Sequence, residues 1–296
     1  MKNYTKNQNA VVTVETSGIY ASNYCFRHVI VLALVFVVVT ASLGVTKTVH
    51  ADTLYTTGFE RPTFHSGDQL LGLDGWSTAI PPFLNPEAAI ITNAAAKSGR
   101  QSVEVRGADL NSSPIDSDTN EQITNPYDAV GSYRKPLNNY MVSGNKNLVR
   151  VDADLQLKTT QAETDDDFFG ITITLRDGDG IALGEVGLFS NKKVQAYGIT
   201  KVVGEVTPPL FTRKIRFNKW YHITMLLDLA NDTTAYFIDD QFIGAIHAPS
   251  TSNILNRGAM VVYALPDSGV KARANYTARA DNFRISVHSA APDIDD

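Results

Sequence analysis

The sequence predicts an all-β protein, a two-sheet antiparallel jelly-roll sandwich, and three observations carry that expectation. Apolar and polar residues alternate with period two through one segment after another. Turn-forming pairs separate those segments at short intervals. No sustained stretch repeats with the period of a helix. Alternation over about four to eight residues marks a strand with one buried face. Many short strands at regular spacing mark a sandwich or a jelly roll.

Each element follows from its own residues. In Leu148–Lys158, Val149, Val151, Ala153, Leu155 and Leu157 share one face, and Arg150, Asp152, Asp154, Gln156 and Lys158 share the other. Phe169, Ile171, Ile173 and Leu175 alternate with Thr172, Thr174 and Arg176. Tyr221, Ile223, Met225 and Leu227 alternate with His222, Thr224 and Asp228. Phe283, Ile285 and Val287 alternate with Arg284, Ser286 and His288. Turn signals part these runs at Asn191-Lys192, Pro208-Pro209, Asn231-Asp232 and Asp239-Asp240. Asp177-Gly178-Asp179-Gly180 lacks the later ligands of an EF-hand loop and is read as a hairpin turn. Gly107 to Tyr127, rich in Asn, Ser, Asp and Pro, is expected to be a long surface loop.

The N-terminus points to export. Val29–Val45 is an apolar run without a charge, preceded by Lys2, Lys6 and Arg27 and followed by Val49-His50-Ala51. A charged region, an apolar core and a small-x-small site define a secretory signal peptide. The expected organisation is a signal peptide over residues 1–51 and one domain over 52–296, with an uncleaved anchor as the other reading of the apolar run. The expected location is outside the cytoplasm: secreted, extracellular or periplasmic. The first 51 residues carry four basic side chains and one acidic one. The mature chain then holds 22 Lys and Arg against 30 Asp and Glu, a formal charge of −8. A net acidic surface argues against nucleic acid and against an anionic membrane surface as partners. The one cysteine, Cys25, leaves with the signal, so neither a disulfide nor a thiolate ligand is expected in the mature chain.

Asn218–Gly244, NKWYHITMLLDLANDTTAYFIDDQFIG, resembles a hairpin of the concanavalin A-like lectin and glucanase superfamily, which includes laminin G-like domains. Trp220, Asp228, Tyr236, Ile238, Asp239 and Phe242-Ile243 stand at the places of that pattern, with Asp240 where Gly is commoner. Gly58-Phe59-Glu60 with Gly75-Trp76, and Ala280–Ile285, resemble the first and last strands of exported bacterial jelly rolls. The resemblance implies a concanavalin A-like sandwich with its first and last strands side by side. It also implies that the residue at Trp220 packs into the core. Trp76 follows a Gly in a loop and is read as the more open of the two tryptophans. Tyr133, Tyr197 and Tyr263 are equal candidates to line a site, and nothing in the sequence ranks them.

Two sets of candidate site residues follow. The resemblance implies a structural Ca²⁺ joining the two chain ends, held by Glu60, Asp281 and nearby carbonyls; ordinary turn carboxylates are the other reading. The polar faces supply the second set. With their three strands as neighbours, Arg150, Asp152, Asp154, Arg176 and His222, with Thr172, Thr174 and Thr224, share one open surface fit for ligand binding. Asp152 and Asp154 lie at i and i+2, close to what a carboxylate pair for sugar cleavage requires. The Glu-x-Asp-x-x-Glu signature of glucanases of this fold is absent, and so are the alginate-lyase patterns. The favoured function is a secreted carbohydrate-binding or adhesive module recognising a polysaccharide or other glycan. The alternatives are a polysaccharide lyase or glycoside hydrolase using the concave face, and a structural surface protein without a small ligand.

Overall fold

The computed structural model describes residues 51–78, 88–107, 129–143, 146–160, 169–190, 193–197, 211–247, 252–264 and 275–289. The signal segment and residues 108–127 of the expected loop lie outside the described residues, as do the turns at Asn191-Lys192 and Pro208-Pro209. The strands in chain order are β1 (Asp52–Thr57), β2 (Ser77–Thr78), β3 (Ala89–Thr92), β4 (Ser102–Arg106), β5 (Ala129–Met141), β6 (Leu148–Thr159), β7 (Phe169–Asp177) and β8 (Ala182–Phe189). They continue as β9 (Lys193–Tyr197), β10 (Phe211–Lys214), β11 (Trp220–Asp228), β12 (Thr233–Ile238), β13 (Gln241–His247), β14 (Ile254–Ala264) and β15 (Tyr276–His288).

The strands form two antiparallel sheets. The first runs β13-β12-β11-β6-β15-β4-β3, with β1 also paired to β15. The second runs β10-β9-β8-β7-β14-β5-β2. The period-two pattern fills the space between them: Val149, Val151, Ala153, Leu155, Ile223, Met225, Phe283 and Ile285 meet Ile171, Ile173, Leu175, Val186, Leu188 and Val262 in one buried core. Gly258 shows how closely the sheets approach, since a Cβ there would lie 2.5 Å from Ile285 Cδ1.

The first and last strands are neighbours, with Asp52 opposite Val287 and Thr57 opposite Phe283. β15 serves two partners on that edge: β4 along its first half, over Thr277–Ala280, and β1 along its second. The change of partner falls at a bulge between Asp281 and Arg284, where Asn282 takes a φ of 50°. Such a bulge bends the strand and re-aims the side chains around it.

The local expectations at the turns hold. Asp177 caps its hairpin, its Oδ1 accepting the N–H groups of Asp179 and Ile181 at 3.1 and 2.8 Å. Asp239 and Asp240 join β12 to β13 with φ of 47° and 60°, a two-residue turn with both centres left-handed. Asp tolerates that conformation better than most side chains, so Gly is not needed at Asp240.

Three expectations need correction. β7 belongs to the second sheet, so Arg176, Thr172 and Thr174 lie across the core from Asp152, Asp154 and His222. Alternation tells which face of a strand points inward, but the inward faces of both sheets meet the same core. Trp220 is half-buried on the outer face of β11, opposite Gln156, because its neighbour Tyr221 takes the inward position. Trp76 is the buried tryptophan, 2% exposed, packed on Phe283 and Phe59, with its Nε1 donating to the Tyr55 hydroxyl at 2.8 Å.

Candidate functional site

A groove of about 530 Å³ lies on the outer face of the first sheet. β6 supplies Arg150, Asp152 and Asp154, β11 supplies His222, and β15 supplies Asn282, Arg284, Ser286 and His288. Thr56, Thr57 and Gly58 form its rim. Pairing explains the assembly: Asp154 is opposite His222 on one side and Asp281 on the other, and Asp152 is opposite Thr224 and Arg284. Residues two apart on a strand share a face, so these side chains converge.

His222 stands between the two aspartates. Its Nδ1 lies 3.2 Å from Asp154 Oδ1 and its Nε2 3.4 Å from Asp152 Oδ1. These hydrogen bonds raise the imidazole to about 10, against the smaller opposing effect of burial, so it carries its proton at neutral pH. Asp152 also accepts from Arg150 Nε at 2.8 Å and Thr224 Oγ1 at 2.7 Å. Burial pushes Asp152 up, but the hydrogen bonds from His222, Arg150 and Thr224 together outweigh it and hold the carboxyl at about 2. Asp154 is likewise lowered: burial opposes ionisation, and His222 and Asn282 overcome it, the Asn282 Nδ2 donating to Oδ2 at 2.7 Å. Burial, followed by the Arg150 and Arg284 charges, lowers His288 and keeps it neutral.

Both groove carboxylates are therefore ionised at neutral pH. A glycosidase pair needs one member held protonated as the acid. The groove offers instead fixed acceptors and cations for ligand hydroxyls and other polar groups. Four of the five expected ligand-binding residues meet here: Arg150, Asp152, Asp154 and His222. Arg176 does not, being on the other sheet. Sequence reasoning does not single out Asn282, Arg284, Ser286 or His288 as site residues. Their signal is the polar phase of the last strand, and for Asn282 the bulge, which has no signature in sequence.

Glu60 and Asp281 both lie beside Gly58, and each carboxylate is occupied by main-chain donors. Asp281 Oδ2 accepts from Lys97 N at 2.8 Å and Ser98 N at 3.0 Å, and its Oδ1 from Asn282 N at 2.8 Å. Glu60 Oε1 accepts from Arg100 N at 2.6 Å and Gln101 N at 2.8 Å. Calcium is bound by a shell of oxygens. Five N–H groups aimed at the two carboxylates make a poor fit to a cation and a good clamp for the 97–101 loop. Among the described residues, no group of three or more His, Cys, Asp or Glu is arranged to hold a metal ion.

The outer face of the second sheet carries a different set. Glu185 on β8 is buried, and its Oε1 accepts from Tyr263 at 2.6 Å and Thr172 at 2.7 Å. Burial raises this carboxyl, and those hydrogen bonds offset the effect only in part. Glu185 had a faint signal, a lone charge in the run Ala182–Phe189.

Comparison with solved structures identifies the fold as concanavalin A-like. An endo-1,3-β-glucanase from Streptomyces sioyaensis superposes with a TM-score of 0.50 at 10% identity, over 81% of this chain and 97% of that one. A carbohydrate esterase from the Shiga toxin-encoding bacteriophage phi24B matches with a TM-score of 0.47 at 12% identity, over 81% of this chain and all of that one. A sialidase matches with a TM-score of 0.40 at 14% identity, and the chain spans only 17% of its length while 71% of this chain is covered. No protein-family model matches the chain, and no curated protein matches it in sequence.

Proposed function

We propose that this is an exported carbohydrate-binding module whose groove on the first sheet holds a glycan by its hydroxyl groups. The fold hosts binders and enzymes alike and does not choose between them. The observation that carries the reading is the pair Asp152 and Asp154, both ionised and both held in place by one protonated histidine. Charged acceptors locked by neighbours bind sugar hydroxyls in fixed directions at little entropic cost. With neither carboxyl poised as an acid, the groove is built for holding rather than for cleaving.

The test is a glycan array followed by calorimetry on the hits, with the wild type and Asp154→Asn. The expected result is binding of at least one neutral glycan, weakened about tenfold or more in the variant, which corresponds to about 1.4 kcal/mol. Hits should be recovered uncut, with no new reducing ends. Absence of any neutral-glycan binding, or equal affinity in the two proteins, would remove the groove from the account. Release of new reducing ends would replace binding by cleavage.

A further inference from the structure

The second sheet carries three arginines on one outward face. Arg176 on β7 is the direct cross-strand partner of Arg257 on β14. Arg134 on β5 is opposite Ala259, two residues further along the same face of β14. Their neighbours Leu175, Gly258 and Tyr133 point into the core, so all three arginines point out. Side chains directly opposite on a sheet have Cβ atoms about 5 Å apart, and like charges there repel.

None of the three forms a close ion pair with a carboxylate among the described residues, although the charge of Arg176 acts on the Glu185 carboxyl. Arg176 Nη1 donates to Gly180 O at 2.7 Å, Arg257 Nη1 to Asn256 Oδ1 at 2.8 Å, and Arg134 Nε to Ser132 Oγ at 3.4 Å. Glu185 shares this face, but its carboxylate is turned to Tyr263 and Thr172 and is buried beneath them. Arg257 Nε is buried without a partner among the described residues. On the first sheet Arg150 is paired with Asp152, and Arg106 and Arg279 with Glu104, while Arg284 donates to the Thr53 hydroxyl at 3.4 Å. Partial burial, and after it the charges of Arg257 and Arg176, push Arg134 down to about 10. Burial and Arg176 lower Arg257 as well. At neutral pH the cluster still holds three positive charges in a chain whose total is negative. An overall basic composition therefore does not explain it.

We propose that this face is a second binding site, for an anionic glycan whose carboxylate or sulfate groups are taken by Arg134, Arg176 and Arg257. Guanidinium forks match carboxylate and sulfate oxygens in paired hydrogen bonds. A bound anion relieves the repulsion across β7 and β14. The hydroxyl group of Ser132 lies on the same face, where the neutral part of a sugar chain would run. The net negative charge of the chain disfavours nucleic acid.

The experiment measures binding of the protein to polygalacturonate, dextran sulfate, neutral dextran and duplex DNA at low and high salt. Polygalacturonate and dextran sulfate separate carboxylate from sulfate recognition. Binding to one or both of them is expected, weakening steeply with salt, with DNA left unbound and with any binding of neutral dextran, through the groove, unchanged in the arginine variant below. The combined variant Arg134→Gln, Arg176→Gln, Arg257→Gln should lose at least tenfold in affinity. It should melt at or above the wild-type temperature, because the repulsion is gone. Asp154→Asn, on the other sheet, should bind the charged glycans like the wild type, which separates this site from the groove. The proposal is overturned if neither charged glycan binds, if DNA binds as tightly, if neutral dextran binds as tightly and loses that affinity in the triple variant, or if a folded triple variant keeps its affinity for the charged glycans.

Discussion

His222 couples protonation to folding. Asp152 and Asp154 hold its imidazole at about 10, against about 6.5 in an unfolded chain. Between those values the folded protein keeps a proton that the unfolded chain has released. The contribution is complete below about pH 6.5 and is lost as pH rises toward about 10. The limiting slope is about 1.4 kcal/mol per pH unit, so full shielding from solvent would remove about 3 kcal/mol between about pH 6.5 and about pH 9. The side chain is 32% exposed, and solvent screening reduces the expected loss to about 1–2 kcal/mol. With a urea slope of about 3 kcal/mol/M for a chain of this size, the unfolding midpoint falls by about 0.5 M. The assay is urea unfolding, followed by tryptophan fluorescence, of wild type and His222→Gln at both pH values. The variant has no such proton to lose, so its midpoint should fall less, by about the same 0.5 M. Equal pH dependence in the two proteins would refute the reasoning.

Two further outcomes are expected. Gly187→Ala places a Cβ against Ile171 O and 2.5 Å from Thr172 Cα, both backbone atoms of the neighbouring strand. Overpacking of that kind costs about 1–3 kcal/mol, or roughly 2–12 °C in melting temperature for a chain of this size; an unchanged melting curve would mean that β7 and β8 do not pair as described. With five main-chain N–H groups on Glu60 and Asp281, the melting temperature should be the same in millimolar calcium and in excess chelator. A rise with calcium, lost in Asp281→Ala, would show that the cation displaces those hydrogen bonds.

Much of the fold was legible because burial writes itself into alternation. Val149 to Leu157 and Tyr221 to Leu227 face the core as their period requires, and the same period places Trp220 outside, against the family pattern. The turns at Asp177–Gly180 and Asp239-Asp240 were legible for a local reason: their conformations are set by the residues that occupy them. The adjacency of the two chain ends was legible only through resemblance, since nothing in Glu60 or Asp281 alone reports the other.

The candidate sites were legible in part. Asp152 and Asp154 share a face by their spacing. His222, 68 residues beyond Asp154, reaches them only because β11 pairs with β6. Arg176 has the same outward phase and goes to the other sheet. There it meets Arg134 and Arg257, neither of which stood out in the sequence.

The sequence by itself determined that the chain is built of strands, which residues of each strand face inward, and where the tight turns fall. These are local properties, fixed by side-chain period and by backbone preference. Only the tertiary structure decided which sheet each strand joins, and so which polar residues share a surface. Strand pairing is a contact between distant segments, and alternation looks the same from either side of a common core.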